Sequence, residues 1–151
     1  MRRSDREISD LKSIEAILQQ ASVCRLALSD ENRPYIVPMN FGYRDKVLYF
    51  HSAGEGRKIE ILQKNPHVCF EFDVGHELVI AEKACDYGMK YQSVIGFGTA
   101  AMINDNDEKK SALAIIMNQY AGGRYEFDDA AVAKTAVFKV EIHSMTGKKK
   151  G

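Results

Sequence analysis

A mainly β chain, folded as a six-stranded antiparallel barrel with inserted helices, is the architecture this sequence predicts. Three observations carry it. Six segments show the two-residue apolar alternation of a half-buried strand. Most of them are joined by short polar turns, as antiparallel neighbours are. Strand–helix alternations are too few for a doubly wound parallel sheet, whereas a closed or nearly closed barrel accommodates the order found. The 151 residues make one domain, 1–151, with a polar N-terminal arm at 1–8. A chain of this length buries about 68–70% of its unfolded surface and needs no metal or disulfide staple.

The first element is a helix over about residues 10–20, with Leu11, Ile14, Ile17 and Leu18 on one stripe and Ser9 or Asp10 as its cap. Residues 23–28 form a short strand, Cys24, Leu26 and Leu28 on one face and Arg25 on the other. Asp30-Glu31-Asn32 is turn material. Residues 35–43 alternate, Tyr35, Val37, Met39, Phe41 and Tyr43 sharing a face; Pro34 and Pro38 cannot donate to a ladder, so this strand is interrupted or lies at an edge. Arg44-Asp45-Lys46 turns into a strand at 47–52. After Ala53-Gly54-Glu55-Gly56 a short helix covers 57–64, burying Ile59 and Leu62, and Asn65-Pro66 ends it with an asparagine that tolerates left-handed backbone.

Residues 67–74 alternate cleanly, with a prolongation toward 77–82. Residues 90–103 form a long strand whose glycines, Gly96 and Gly98, predict a bend or a close backbone neighbour. A third helix covers 107–121, capped by Asp105 or Asn106, with Leu113, Ile116, Met117 and Tyr120 as its apolar face and Gly122-Gly123 as its stop. Residues 124–133 read as a loop with one helical turn, and residues 135–144 as the last strand, Phe138, Val140 and Ile142 facing the core. Lys148-Lys149-Lys150 reads as a solvated tail.

Lys plus Arg and Asp plus Glu are both 21, a net charge of zero, which argues against a nucleic-acid partner. No apolar run approaches a membrane span, and no signal-peptide core follows the charged opening, so the expectation is a cytoplasmic protein. Cys24, Cys69 and Cys85 are odd in number and far apart; they read as reduced thiols, and no metal site is predicted.

The chemistry concentrates at Tyr49-Phe50-His51-Ser52-Ala53-Gly54-Glu55-Gly56-Arg57-Lys58. A strand ends, a glycine loop turns, and a helix opens with two cations. Cations there oppose the helix dipole, and a bound anion reverses the sign of that effect. Free amides, a glycine backbone and two positive side chains suit a phosphate. An ordinary exposed Arg-Lys pair is the competing reading. The spacing matches neither a P-loop nor the Rossmann glycine pattern. His51 reads either as a proton donor, since an imidazole exchanges protons near neutrality, or as a strand residue with a hydrogen bond and no chemical role.

Several segments carry a resemblance. Val37-Pro38-Met39-Asn40-Phe41-Gly42-Tyr43, Leu48-Tyr49-Phe50-His51-Ser52-Ala53, Gly56-Arg57-Lys58 and Asn65-Pro66 resemble the FMN-binding split barrel, the superfamily of pyridoxamine 5′-phosphate oxidase. Met89-Lys90-Tyr91-Gln92-Ser93-Val94-Ile95-Gly96-Phe97-Gly98, the ending Ile142-His143-Ser144-Met145-Thr146-Gly147-Lys148 and the opening Met1-Arg2-Arg3-Ser4-Asp5-Arg6-Glu7 are similar to its nitroimidazole-resistance (Nim-like) branch. The resemblance implies a six-stranded antiparallel split β-barrel and a homodimer holding two FMN molecules at its interface. It implies that Arg57 and Lys58 hold the phosphate and that Pro38, Met39, Asn40 and Phe41 line the isoalloxazine edge, largely through backbone. His51 and Ser52 would sit where the strand end meets the flavin, and Ser93 and Val94 would touch it from the later strand. The implied function is FMN-dependent reduction of a small organic substrate such as a nitroimidazole or another nitroaromatic, with His51 as the candidate catalytic residue. The alternative is a flavin or haem binding or storage protein without turnover. Pyridoxamine 5′-phosphate oxidase activity ranks third, because the sequence has no Arg-Leu-x-Pro-like segment and no tryptophan.

Overall fold

A computed structural model describes residues 3–151, so Met1 and Arg2 of the expected arm lie outside the described residues. Ser4–Arg6 makes one 3-10 turn and Glu7–Ile8 a two-residue strand, β1. Then follow α1 (Leu11–Gln20), β2 (Cys24–Asp30), β3 (Arg33–Met39), β4 (Gly42–Arg44), β5 (Val47–Ala53), α2 (Arg57–Lys64), β6 (His67–Val79), β7 (Gly88–Ile103), α3 (Asn106–Tyr120), α4 (Asp129–Lys134) and β8 (Thr135–Lys150). Every strand pairing is antiparallel. The sheet runs β3-β2-β6-β7-β8-β5-β4, with β1 added against β8.

The two outermost strands of this order, β3 and β4, are consecutive in the chain, and only Asn40 and Phe41 separate them. The sheet must therefore curl until its edges almost meet. It stays open there, which makes a split barrel. The predicted strand over 35–43 breaks at Asn40-Phe41, and the arm contributes β1; these two changes turn six expected strands into eight. Pro34 and Pro38 lie on edge strand β3, whose only partner among the described residues is β2, so their missing N–H groups break no ladder on the open side. The β2–β3 and β4–β5 hairpins turn on Glu31-Asn32 and Asp45-Lys46, all four at positive φ, the geometry that matches strand twist in two-residue loops.

Leu26, Leu48, Phe50, Phe70, Phe72, Val94 and Phe138 fill the barrel, together with Ile14, Ile17 and Leu18 of α1. Phe50 stacks on Phe138 at 5.1 Å between ring centres. Gly96 makes room for this packing: a Cβ there would come within 2.1 Å of Phe70 Cζ. The close backbone neighbour expected of the β7 glycines is also present at both: a Cβ would come within 2.7 Å of the Ser144 carbonyl oxygen at Gly96 and 2.5 Å of that of Glu141 at Gly98. Leu11, placed on the buried stripe of α1 by its spacing, is exposed, because it lies in the first turn beyond the rim of the barrel core.

Three expectations need correction. The tail is not free: β8 continues to Lys150, pairing with β7 and, through Gly147 and Lys148, with β1. Gly147 is buried, and a Cβ on it would lie 2.9 Å from Ile8 Cβ, so arm and tail are fitted to each other. The buried face of α3 is rotated from the one predicted. Lys109, Ala112, Ile115 and Ile116 are buried, while Tyr120 is exposed. Lys109 turns inward because its ammonium donates to the carbonyls of Val132, Ala133 and Thr135 at the end of α4, the last at 2.8 Å. Asn65 ends α2 in extended rather than left-handed backbone; its side chain donates to the Ser29 carbonyl and accepts from the His67 N–H.

No helix among the described residues is long and apolar enough to cross a membrane. α3 lies on the outer face of β4 and β5, and its backbone touches Gly42: a Cβ there would stand 2.7 Å from Ile115 C and Ile116 N. Backbone cannot move aside as a side chain can. Gly42→Ala is expected to cost about 1–3 kcal/mol through overpacking, read as a lower denaturant midpoint; an unchanged midpoint contradicts this account of the α3 contact.

Candidate functional site

The open seam of the barrel is where the candidate residues gather. Among the described residues, β3 has a partner on one side only, and beyond Tyr49 β5 pairs only with β8, so residues 50–53 have no strand on their other side. The loop 54–56 carries the chain from this open half of β5 into α2, whose first turn meets β3. The seam is thus filled by a helix start rather than a strand.

That start differs from the others. α1, α3 and α4 are each capped by an aspartate: Asp10 accepts from the Ser13 N–H, Asp105 from those of Asp107 and Glu108, and Asp128 from that of Ala131. α2 begins at Gly56, which has no side chain to offer. Gly56 sits at φ +119°, which glycine adopts without strain, and the space a Cβ would take has no atom within 4 Å. No side chain caps the first amides of α2, and the space beside Gly56 is open.

Two cations flank it. The Arg57 guanidinium carbon lies 4.7 Å from the centre of the Tyr35 ring, in cation–π contact. The Lys58 ammonium donates to Met39 Sδ at 3.1 Å, and a thioether is a weak acceptor. Among the described residues neither cation has a carboxylate within 4.0 Å. Burial pushes the Lys58 pKa down. Positive charge at a helix N-terminus, partial desolvation and the lack of a counter-ion all disfavour this arrangement by itself. An anion in the opening relieves all three. The donor set, two cations and uncapped amides, fits a phosphate ester.

Met39 therefore lies directly beneath Lys58, and Pro38 and Asn40 flank it, both exposed. Phe41 is fully buried, its ring 4.7 Å from that of Phe72, and its N–H is donated to the Tyr120 hydroxyl at 3.0 Å. It has neither a side chain nor an N–H left for a ligand. Ser52 lies on the inward face of β5, and its hydroxyl donates to the neighbouring Ala53 carbonyl. His51, one residue earlier, is exposed on the opposite face. On β7, Val94 is fully buried in the core, so only its backbone can reach a ligand, while Ser93 is half-buried on the outer face, level with Asp73 and Lys148.

The structure thus groups Pro38, Met39 and Asn40 with Arg57 and Lys58. Ser93 stands apart, since β7 is three strands from β3. It is also far from His51, which aligns through Val137 with Ile103. Ser93 stands ten positions before Ile103 on β7, about 33 Å along the strand. The residues that the sequence reading missed are Tyr35, the platform for Arg57, and Tyr120. Tyr35 shares the inward face of β3 with Met39, which is the one signal in the sequence that could have found it. Burial raises the pKa of the Cys24 thiol, which keeps it protonated.

Comparison with known proteins bears on this geometry. The family described as pyridoxamine 5′-phosphate oxidase matches residues 10–149. A Bacteroides thetaiotaomicron protein, whose name proposes resistance to 5-nitroimidazole antibiotics, is 44% identical with a TM-score of 0.86, over 95% of this chain and 86% of that one. The Azotobacter vinelandii flavocytochrome Anf3 shares the fold at 21% identity and TM-score 0.88, over 100% of this chain and 72% of that one. So does the FAD and haem binding protein of Mycobacterium smegmatis, at 18% identity and TM-score 0.87, over 97% and 74%. Comparison with curated proteins finds no match.

If the start of α2 is an anion site, inorganic phosphate alone stabilises the protein. Each kcal/mol of such linkage raises Tm by about 2–4 °C for a domain of this size. The rise is expected for the natural chain and not for Arg57→Ala/Lys58→Ala; an equal rise in both places the anion elsewhere.

Proposed function

Because the chain belongs to the pyridoxamine 5′-phosphate oxidase family, in its nitroimidazole-resistance-like branch, we propose that it binds FMN through the start of α2. We propose further that it is a cytoplasmic reductase of a small nitroaromatic such as a 5-nitroimidazole. One observation supports this above the rest. Arg57 and Lys58 flank an uncapped helix start with no carboxylate partner among the described residues. A bound flavin supplies electron transfer, with electrons drawn from an external donor; the protein supplies position and electrostatics. Pro38, Met39 and Asn40 offer backbone beside the phosphate cations. His51, exposed on the outer face of β5, is the candidate proton donor to the substrate.

This reading also calls for a second copy. About 33 Å of strand between the His51 level and Ser93 is longer than an FMN molecule. One chain cannot bring both to one flavin, whereas a two-fold partner can supply Ser93 to the site of the other. The outer face of the sheet has a surface for it. Ile36 aligns through Ala27 and Cys69 with Phe97, and Pro38 aligns through Arg25 and Glu71 with Ile95. Ile36, Ile95 and Phe97 are 61%, 48% and 56% exposed, an apolar area that water covers poorly.

Fluorescence titration tests the phosphate assignment, because FMN and riboflavin differ only in that group. Arg57→Ala/Lys58→Ala is expected to weaken FMN by at least ~100-fold, the loss of charge-assisted hydrogen bonds each worth about 1.5–3 kcal/mol, and to leave riboflavin little changed. Equal loss of both ligands marks the pair as structural; loss of neither refutes the site. The absorbance of the purified protein separates the alternative, since a Soret band marks haem.

His51→Ala is expected to keep FMN and lose nitroaromatic turnover across pH 5–8, followed by donor oxidation. Full turnover in that variant removes His51 from the chemistry. Sedimentation is expected to show a dimer, and a monomer that carries a full equivalent of FMN contradicts the shared site.

A further inference from the structure

The last turn of α3 bears on this site through Phe41. Gln119 Nε2 donates to the carbonyls of Leu18 at 2.9 Å and Ala21 at 3.1 Å, closing the end of α1. The next residue, Tyr120, donates its hydroxyl to the Ser22 carbonyl at 3.0 Å and accepts the Phe41 N–H at 3.0 Å. A hydroxyl has one proton to give, and here it is given; its lone pair takes the amide. The Tyr120 ring also meets Phe41 edge-on, 6.4 Å between centres.

Phe41 needs this partner. Asn40 and Phe41 lie between β3 and β4 and take no part in the sheet ladder, so the sheet supplies the Phe41 N–H with no carbonyl. Two residues earlier stands Met39, whose sulfur receives the Lys58 ammonium. A short path therefore runs from the Tyr120 hydroxyl through the Phe41 backbone to Met39 and on to Lys58.

We propose that Tyr120 is a positioning residue for the phosphate cation: its hydroxyl sets the β3–β4 crossing, and the crossing sets the sulfur against which Lys58 is held. This rests on reading the start of α2 as the FMN phosphate site. Without the hydroxyl, the ring still packs on Phe41, but the freed amide turns to water and the crossing shifts. Lys58 then loses its alignment with the helix amides while the barrel persists.

The test is a double-mutant cycle on the full chain, with FMN and riboflavin titrated well below the melting temperature of each variant. Tyr120→Phe is expected to weaken FMN about 5–20-fold and riboflavin less than about 2-fold. In a Lys58→Ala background the same substitution is expected to change neither. A purely structural role moves both ligands together, so equal weakening of both overturns the proposal. Loss of FMN in Lys58→Ala with no change in Tyr120→Phe overturns the positioning role alone. Retained FMN affinity in Lys58→Ala overturns the phosphate reading and this inference with it. Met39→Leu tests the path with the Tyr120 bond intact. Selective FMN loss of similar size supports it, and no loss overturns the route through the sulfur.

Discussion

Two residues join the two edges of one sheet, and the remaining architecture follows from that constraint. β3 and β4 are the outermost strands, yet only Asn40 and Phe41 lie between them. So short a link holds the edges together and bends five intervening strands into a barrel. The link is itself held: the Phe41 ring is buried against Phe72, its N–H goes to Tyr120, and Gly42 lies against the backbone of α3. Because β4 is only three residues long, the seam stays open along residues 50–53 of β5, and α2 starts there. Fold and candidate site are two consequences of the same short crossing.

The site departs from the rules that the rest of the chain obeys. Three helices begin with a capping aspartate, and β6 and β7 carry paired charges such as Glu77 with Lys90. At α2 the cap is absent, two cations oppose the helix dipole, and one of them rests on a thioether. Local departures of this kind mark places where a chain is built to hold something else. We read the missing partner as an anion, and propose a phosphate. The cluster of Arg25 with Glu71 and Asp73 on the outer sheet face shows the contrast, since its cation is satisfied within the chain.

Much of this was legible in the sequence because strand alternation and helix caps are local signals. The helix pattern over residues 57–64 coincides with the limits of α2, and the prolines of β3 mark an edge. The pairing of Arg57 and Lys58 with a glycine start was visible for the same reason. What escaped depends on partners distant in the chain. Lys109 turns into the core because the end of α4, some twenty residues on, presents carbonyls to it. The lysines at 148–150 read as a solvated tail because residues on one strand say nothing of the strands beside it; β7 and β1 supply them. Tyr120 lay on a predicted apolar face, yet its hydroxyl serves a residue 79 positions away. The split between His51 and Ser93 likewise required the register across β5, β8 and β7.

The central claim is that the open seam holds a flavin phosphate. A crystal structure of the protein grown with FMN tests it most directly. The account predicts the phosphate in the opening before α2, with its oxygens about 3 Å from Lys58 Nζ and from the first amides of the helix. An FMN bound elsewhere, with Arg57 still on Tyr35, Lys58 still on Met39 and the opening filled by solvent, contradicts it.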